Sequence, residues 1–520
     1  MFYPSDNIRK LTKHGVDMKN QRKVGALLSY AVIIVSTLVN LLYMPFMLRK
    51  IGQSEFGLYS LISSVIGYLT VFDLGFGNAI VVFTAKYRQS KDIDSERKLH
   101  GMFSIIYWVI GIIAGIFGLL LYFNTDRLFG ETMTGIEIQK AKIMLLILTF
   151  NLVISFGFSI YSSIITAYEQ FVFQKILAII RSLLNPILMI PLLMLGCKSI
   201  TMVIVITVLN IGCLILNFLY CKNKLHINVK FGGFDKALFV SILGFSIYIF
   251  IGTVVDKINW SVDQFILGAV AGTAAVSLYA VANQINLMFI NLSTAISGVL
   301  LPKVSQMVAG NASDDDLTNE FIKVGRLQYI VIFLMVSAFI LFGKEFVLLW
   351  AGTQYLTSYY IAIILIVPVA FPLIQNLGLS IIQAKGLNRD RAIIVLSTSI
   401  VNVIISIPLA KVYGGIGCAI GTAFALIIAN IFIMNIYYYI KVKINVIKFW
   451  KQIIKMTLPY IFIIIPFIIF MDISKLTGIM NLLVYGSIYT VLYCIVSYRF
   501  SMNLYERDIV YGIVKKIFRK

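Results

Sequence analysis

Residues 51–60, IGQSEFGLYS, return 220 positions later as AGTAAVSLYA at 271–280, pairing Gly52 with Gly272, Leu58 with Leu278 and Tyr59 with Tyr279. A second overlay, shifted by 217, pairs Ser163, Ile164, Ile165 and Ala167 with Ser380, Ile381, Ile382 and Ala384. It continues through Asn185/Asn402, Pro191/Pro408, Leu192/Leu409 and Tyr220/Tyr437. In an apolar chain Leu and Ile matches carry little information. The Gly, Asn, Pro and Tyr matches carry more, and they divide most of the chain into two copies of one unit.

The chain outside these stretches says what the unit is made of. Of 520 residues, 59% are apolar and 13% charged, half the charge of an ordinary soluble domain. A water-soluble globule is excluded. Apolar runs between charged punctuation predict fourteen spans, at 24–48, 57–84, 101–123, 142–164, 171–195, 199–221, 237–268, 273–301, 326–343, 359–382, 391–411, 414–440, 456–471 and 478–498, most of them at or above the ~20 residues a membrane helix requires. The fold class is an all-α integral membrane protein: two six-helix copies, 24–221 and 237–440, and two added helices.

The net charge of +21 suggests nucleic acid on a soluble protein; here the positive-inside rule explains it. With the amino terminus inside, 33 of the 44 basic residues fall on the cytoplasmic side, 10 on the outer side, and Arg181 within a span. Both termini are expected in the cytoplasm, with no nucleic-acid partner. The organisation is then a polar segment 1–23, a lobe 24–221, a linker 222–236, a second lobe 237–440, the last two spans with their preceding loop over 441–498, and a basic tail 499–520. The tail reads as an amphipathic helix on the anionic inner leaflet. Residues 256–263, DKINWSVD, either end the seventh span or lie within it. The continuous counterpart in span one favours a helix ending near 268.

At RKIGQSEFGLYSLISS (49–64), DLGFGNAI (73–80), DQFILGAVAGTAAVSLYAVANQI (263–285) and GVLLPKVS (298–305), the sequence resembles the Wzx-type polysaccharide flippases. These belong to the multidrug/oligosaccharidyl-lipid/polysaccharide (MOP) exporter superfamily, with the MATE transporters and the lipid II flippase. The resemblance implies a V-shaped, MATE-like pair of lobes around a cavity that opens alternately to each side. It implies translocation of undecaprenyl-diphosphate-linked oligosaccharide to the outer leaflet for surface polysaccharide, with a polysaccharide polymerase and a chain-length regulator as further partners. The alternative within the superfamily is a cation-coupled drug antiporter.

A flippase breaks no bond, so its demands are cationic groups for a diphosphate, polar groups for sugar and an apolar opening for a lipid tail. Ionisable residues inside spans are costly unless they face a cavity or a partner. Arg181, ten residues into its span, is the sharpest candidate for the diphosphate, and pairing with a carboxylate is the alternative. Lys257 is a second candidate, and Arg49, at the outward end of span one, a third; snorkelling is the alternative for Arg49. Asp73, Asp256 and Asp263 are candidates for coupling or charge pairing. For Asp73, capping a helix break marked by Gly75 and Gly77 weighs equally. Asn283, Gln284 and Asn286 form a polar stripe suited to sugar hydroxyls or to interhelical hydrogen bonds.

No metal site and no cofactor are expected beyond a coupling ion, H+ or Na+. The sequence has no phosphate-binding GxxxxGK[ST] loop, hence no ATP-driven engine of its own. No outward loop is long enough for a catalytic domain, which argues against an enzyme. The glycines of GFGNAI and GGIGCAIG suit helix packing.

Overall fold

In lipid, an apolar chain satisfies its backbone only through helices or a closed barrel. The computed structural model describes residues 6–232, 235–298, 301–474 and 478–518, and among them there is no strand. The helices are α1 (Asp6–Ile51), α2 (Gln53–Leu69), α3 (Phe76–Ser90), α4 (Ile93–Phe129), α5 (Gly135–Ala167), α6 (Phe171–Met194), α7 (Ser199–Asn223), α8 (Lys236–Val270) and α9 (Gly272–Gly298). They continue with α10 (Leu301–Ala309), α11 (Asp314–Trp350), α12 (Leu356–Ile374), α13 (Asn376–Ala384), α14 (Asn388–Leu426), α15 (Met434–Tyr437), α16 (Val446–Ser474), α17 (Ile479–Val496) and α18 (Leu504–Phe518). Two π-helical turns flank α15, and a third follows α17.

Among the described residues, twelve helical stretches are long and apolar enough to cross a membrane, against fourteen spans predicted. Eleven predicted spans each have a stretch of their own. The pair 391–411 and 414–440 shares one, Asn388–Val442, which reverses at Gly414 (φ 55°, ψ −133°). A Cβ at Gly417 would strike the Leu409 carbonyl, and one at Gly421 would strike Ser406. Asn402 Oδ1 accepts from Ser406 at 2.8 Å and from Thr422, on the opposite arm, at 3.2 Å. These contacts are those of an antiparallel helical hairpin. The remaining span, 237–268, lies in α8, where the described apolar stretch is only Ser261–Val270. The helix itself is continuous from Lys236 to Val270. Its 35 residues extend ~52 Å, well beyond a ~30 Å hydrocarbon core.

The second predicted span is interrupted. After α2 a 3₁₀ turn, Thr70–Asp73, leads into Leu74 (φ 53°) and Gly75 (φ 76°), and the helix restarts at Phe76. Two consecutive left-handed residues end any α-helix.

The chain forms two compact units, residues 1–277 and 278–520. In the first, α4 packs on α5 through small residues. Gly111 and Gly115 place Val153 within 3.0 Å of where a Cβ would stand, Gly118 admits Thr149, and Gly157 takes the Trp108 ring. Lipid supplies no hydrophobic force between helices, so close backbone approach has to hold them. In the second, α11 is central. Tyr460 of α16 stacks on Tyr493 of α17 at 4.4 Å, and Tyr489 donates to Ser337 of α11 at 2.6 Å. Asn435, between two π-turns, donates to the Asn430 and Ile431 carbonyls and accepts from Gln375 at 2.8 Å and Trp450 at 2.9 Å. It thereby engages backbone groups that a π-turn leaves open.

The tail helix is anchored. Arg326 of α11 donates from Nε to Glu506 Oε1 at 2.6 Å and from Nη2 to Oε2 at 2.9 Å, and also to the Ser501 carbonyl. Both residues are buried. Lys323 lies over the Tyr505 ring at 3.7 Å.

Candidate functional site

Arg181 stands ten residues into α6, ~15 Å along its axis. It is exposed, and its charge reaches Cys213 on α7. Among the described residues it makes no ion pair and no hydrogen bond. Among the described residues, therefore, no carboxylate pairs with it.

The interrupted second span places Asp73 at the start of α3. Its Oδ1 accepts from Tyr107 of α4 at 2.8 Å, and the Gly75 and Gly77 amides also bond the carboxylate. Gly77 borders this polar cluster: a Cβ there would stand in van der Waals contact with Ser163 Oγ at 3.4 Å and the Tyr107 hydroxyl at 3.7 Å. A carboxylate at a helix start is stabilised by free N–H groups and the helix dipole. Asp73 thus performs the capping role, and Tyr107 was not legible as its partner.

On α8, Lys257 is half-buried, with its Nζ 3.8 Å from where a Gly67 Cβ would stand. Ser64 of α2 donates to the Ser261 carbonyl of α8 at 3.0 Å. Asp263 is 1% exposed. The unbroken helix makes Lys257 and Asp263 helix residues and not loop charges; the Asp256 side chain lies outside the described residues. Arg49 is exposed in the last turn of α1. In the second unit, Asn283 and Gln284 are half-buried. Asn286 is fully buried, with neither amide atom bonded among the described residues.

A cluster missed by the sequence reading joins four helix starts. Glu137, at the third position of α5, accepts from Ser54 of α2 at 2.5 Å, Thr273 of α9 at 2.7 Å, and the Thr134 amide and hydroxyl at 2.8 and 2.9 Å. Glu55 of α2 accepts from Ser199 of α7 at 2.5 Å and pairs with Lys140 of α5. Thr132 donates to the Gly268 carbonyl at 2.6 Å, and Gly57 admits the Thr273 carbonyl where a Cβ would otherwise stand. The repeated IGQSEFGLYS and AGTAAVSLYA stretches meet here. Each carboxylate sits near a positive helix end, and each is given hydroxyl or ammonium donors. The Thr134-x-x-Glu137 capping box was readable as a helix start; its distant partners were not. Among the described residues no group of three or more His, Cys, Asp or Glu is placed to hold a metal ion.

The profile of the polysaccharide biosynthesis protein family matches residues 23–308. A Shigella flexneri protein named as an O-antigen transporter is 21% identical over 426 residues, 80% of this chain and 97% of its own length. The fold is similar to that of the lipid II flippase MurJ in an inward closed conformation, with a TM-score of 0.70, 18% identity, and 94% of this chain and 99% of that one covered. It is also similar to an inward-facing multidrug resistance MATE family transporter of the MOP superfamily, with a TM-score of 0.65, 14% identity, and 78% and 96% coverage.

Proposed function

From the premise that the chain belongs to the polysaccharide biosynthesis protein family, whose members here are membrane transporters and not enzymes, we propose that it is a Wzx-type flippase. It moves undecaprenyl-diphosphate-linked oligosaccharide from the cytoplasmic to the outer leaflet of the bacterial inner membrane by alternating access, for surface polysaccharide.

The observation that carries this reading is Arg181. A charge near the middle of a span costs roughly 2.5 kcal/mol or more, and Arg181 has no counter-ion among the described residues to offset it. An exposed guanidinium at that depth suits an anionic cargo, because its planar fork matches phosphate oxygens bidentately. An exporter of organic cations would place the opposite charge there. Lys257 and Arg49 supply further cations for the diphosphate. Asn283, Gln284 and Asn286 supply amides for sugar hydroxyls. Asp73, Asp256 and Asp263 are the carboxylates available to an H+ or Na+ couple. The polymerase and chain-length regulator of the same pathway are the proposed protein partners.

The test is complementation of a flippase-deficient strain. Arg181→Ala at wild-type protein level is expected to abolish surface polysaccharide and accumulate lipid-linked precursor, with Arg181→Lys partly active. Undiminished polysaccharide from Arg181→Ala would remove Arg181 as a ligand. Resistance to small organic cations without polysaccharide rescue by the wild type would replace the flippase reading with drug export.

A further inference from the structure

The second unit contains a cavity of about 380 Å³ between α11, α12 and α16, walled chiefly by Phe333, Val336, Phe371 and Ile453. The two hydroxyls that line it, Tyr329 and Thr457, bond each other at 2.6 Å. At its edge the Trp450 indole N–H is engaged by Asn435. A cavity whose polar groups are already satisfied offers water no partners, and so admits an apolar guest.

The mouth has a definite character. Ile454, 60% exposed, and Val367, 39% exposed, belong to the lining. On α16, exposed Ile447, Ile454 and Leu458 form one stripe, the spacing of a single helix face turned to lipid. On that helix Lys455 follows Ile454, and Lys451 lies one turn before it. Both are exposed, and among the described residues neither has an ion pair or a hydrogen bond. The neighbouring cation, Arg326, is already neutralised by Glu506. The groove therefore combines a dry apolar interior, a mouth at the exposed Ile454 and Val367, and, within one helical turn of Ile454 along α16, two exposed lysines with no ion pair among the described residues.

We propose that this cavity is a phospholipid site. It takes one acyl chain of an anionic phospholipid of the cytoplasmic leaflet, with the phosphate on Lys451 and Lys455. Charge complementarity selects the anionic head, and the engaged hydroxyls select a chain without polar groups. The occupant enters laterally along the α16 stripe, so it is drawn from bulk lipid and is distinct from the transported cargo.

Native mass spectrometry of the full chain, released from detergent after equilibration with phosphatidylglycerol, phosphatidylcholine or undecaprenyl phosphate, tests this. The wild type is expected to retain phosphatidylglycerol in preference to phosphatidylcholine. The surface variant Lys451→Gln/Lys455→Gln should weaken that retention roughly 25-fold, from the ~1 kcal/mol each cation contributes beside an anionic surface. Ala370→Phe, which fills the cavity, should abolish it; if that variant does not fold, the lysine pair decides alone. Equal retention of the two phospholipids, or retention unaffected by the lysine changes, would overturn the site. Displacement of phosphatidylglycerol by equimolar undecaprenyl phosphate would assign the cavity to the cargo.

Discussion

Glu137 shows how much one residue does in an apolar chain. Its carboxylate accepts four hydrogen bonds from α2, α9 and its own helix cap. Glu137→Ala would strand those donors, and the expected cost is about 1–3 kcal/mol, read as a lower unfolding midpoint of the solubilised protein. Glu137→Gln, which keeps an acceptor for the cap, should fall between alanine and wild type. An alanine variant as stable as wild type would show that the cluster holds nothing. The sequence made half of this residue legible. Thr134 and Glu137 sit at capping-box spacing, a local rule, whereas Ser54 and Thr273 lie 83 and 136 positions away, a distance that no periodicity encodes. Asp73 divides the same way. Gly75 and Gly77 announced the helix break, but Tyr107, on another helix, was invisible. Arg181 stands out in the sequence because a charge amid apolar residues is an anomaly in composition alone.

Among elements, the helices were the most readable and their interruptions the least. Apolar runs located α4 through α7 because each is bounded by charges or glycine. The α14 hairpin shows the limit: the spans 391–411 and 414–440 already meet at Gly414 in the sequence, but the side chains that join the arms, Asn402 with Thr422 and Gly421 with Ser406, follow no local rule. Its arms touch through Gly417 and Gly421. Gly421→Leu is expected to destabilise the protein by about 1–3 kcal/mol through overpacking against Ser406, detectable as a reduced monodisperse fraction after mild heating. The tail helix tests a different force. Arg326 and Glu506 side chains are 10% and 0% exposed. Arg326→Leu leaves a buried carboxylate unpaired, at an expected ~3–5 kcal/mol. Arg326→Leu/Glu506→Leu should recover most of that loss, as a double-mutant cycle on the unfolding midpoint would show. A double variant no better than the single would mean that the pair is not coupled.

For the whole molecule, the 33-to-10 division of basic residues makes a topological prediction independent of any site. In a cysteine-free background, Gly135→Cys, which has open space around it, should react with a membrane-impermeant maleimide in intact spheroplasts. Asp315→Cys, exposed at the start of α11, should react only after permeabilisation. The reverse pattern would invert the orientation and with it the assignment of Lys451 and Lys455 to the inner leaflet. The expected duplication rests on the Gly, Asn, Pro and Tyr matches. The cluster that joins the two corresponding stretches was not legible, because Ser54 and Glu55 align with Ala274 and Ala275, so the second stretch does not repeat those groups.

The turn at Gly414 also constrains how the protein is made. Its two arms are joined with no extramembrane segment long enough for one to wait in the bilayer while the other is still being synthesised. They must therefore enter the membrane together, as a preformed pair leaving the insertion machinery in a single event. An epitope or spacer placed between residues 413 and 415 would uncouple that event, so an insertion at this corner is expected to lower the yield of folded protein.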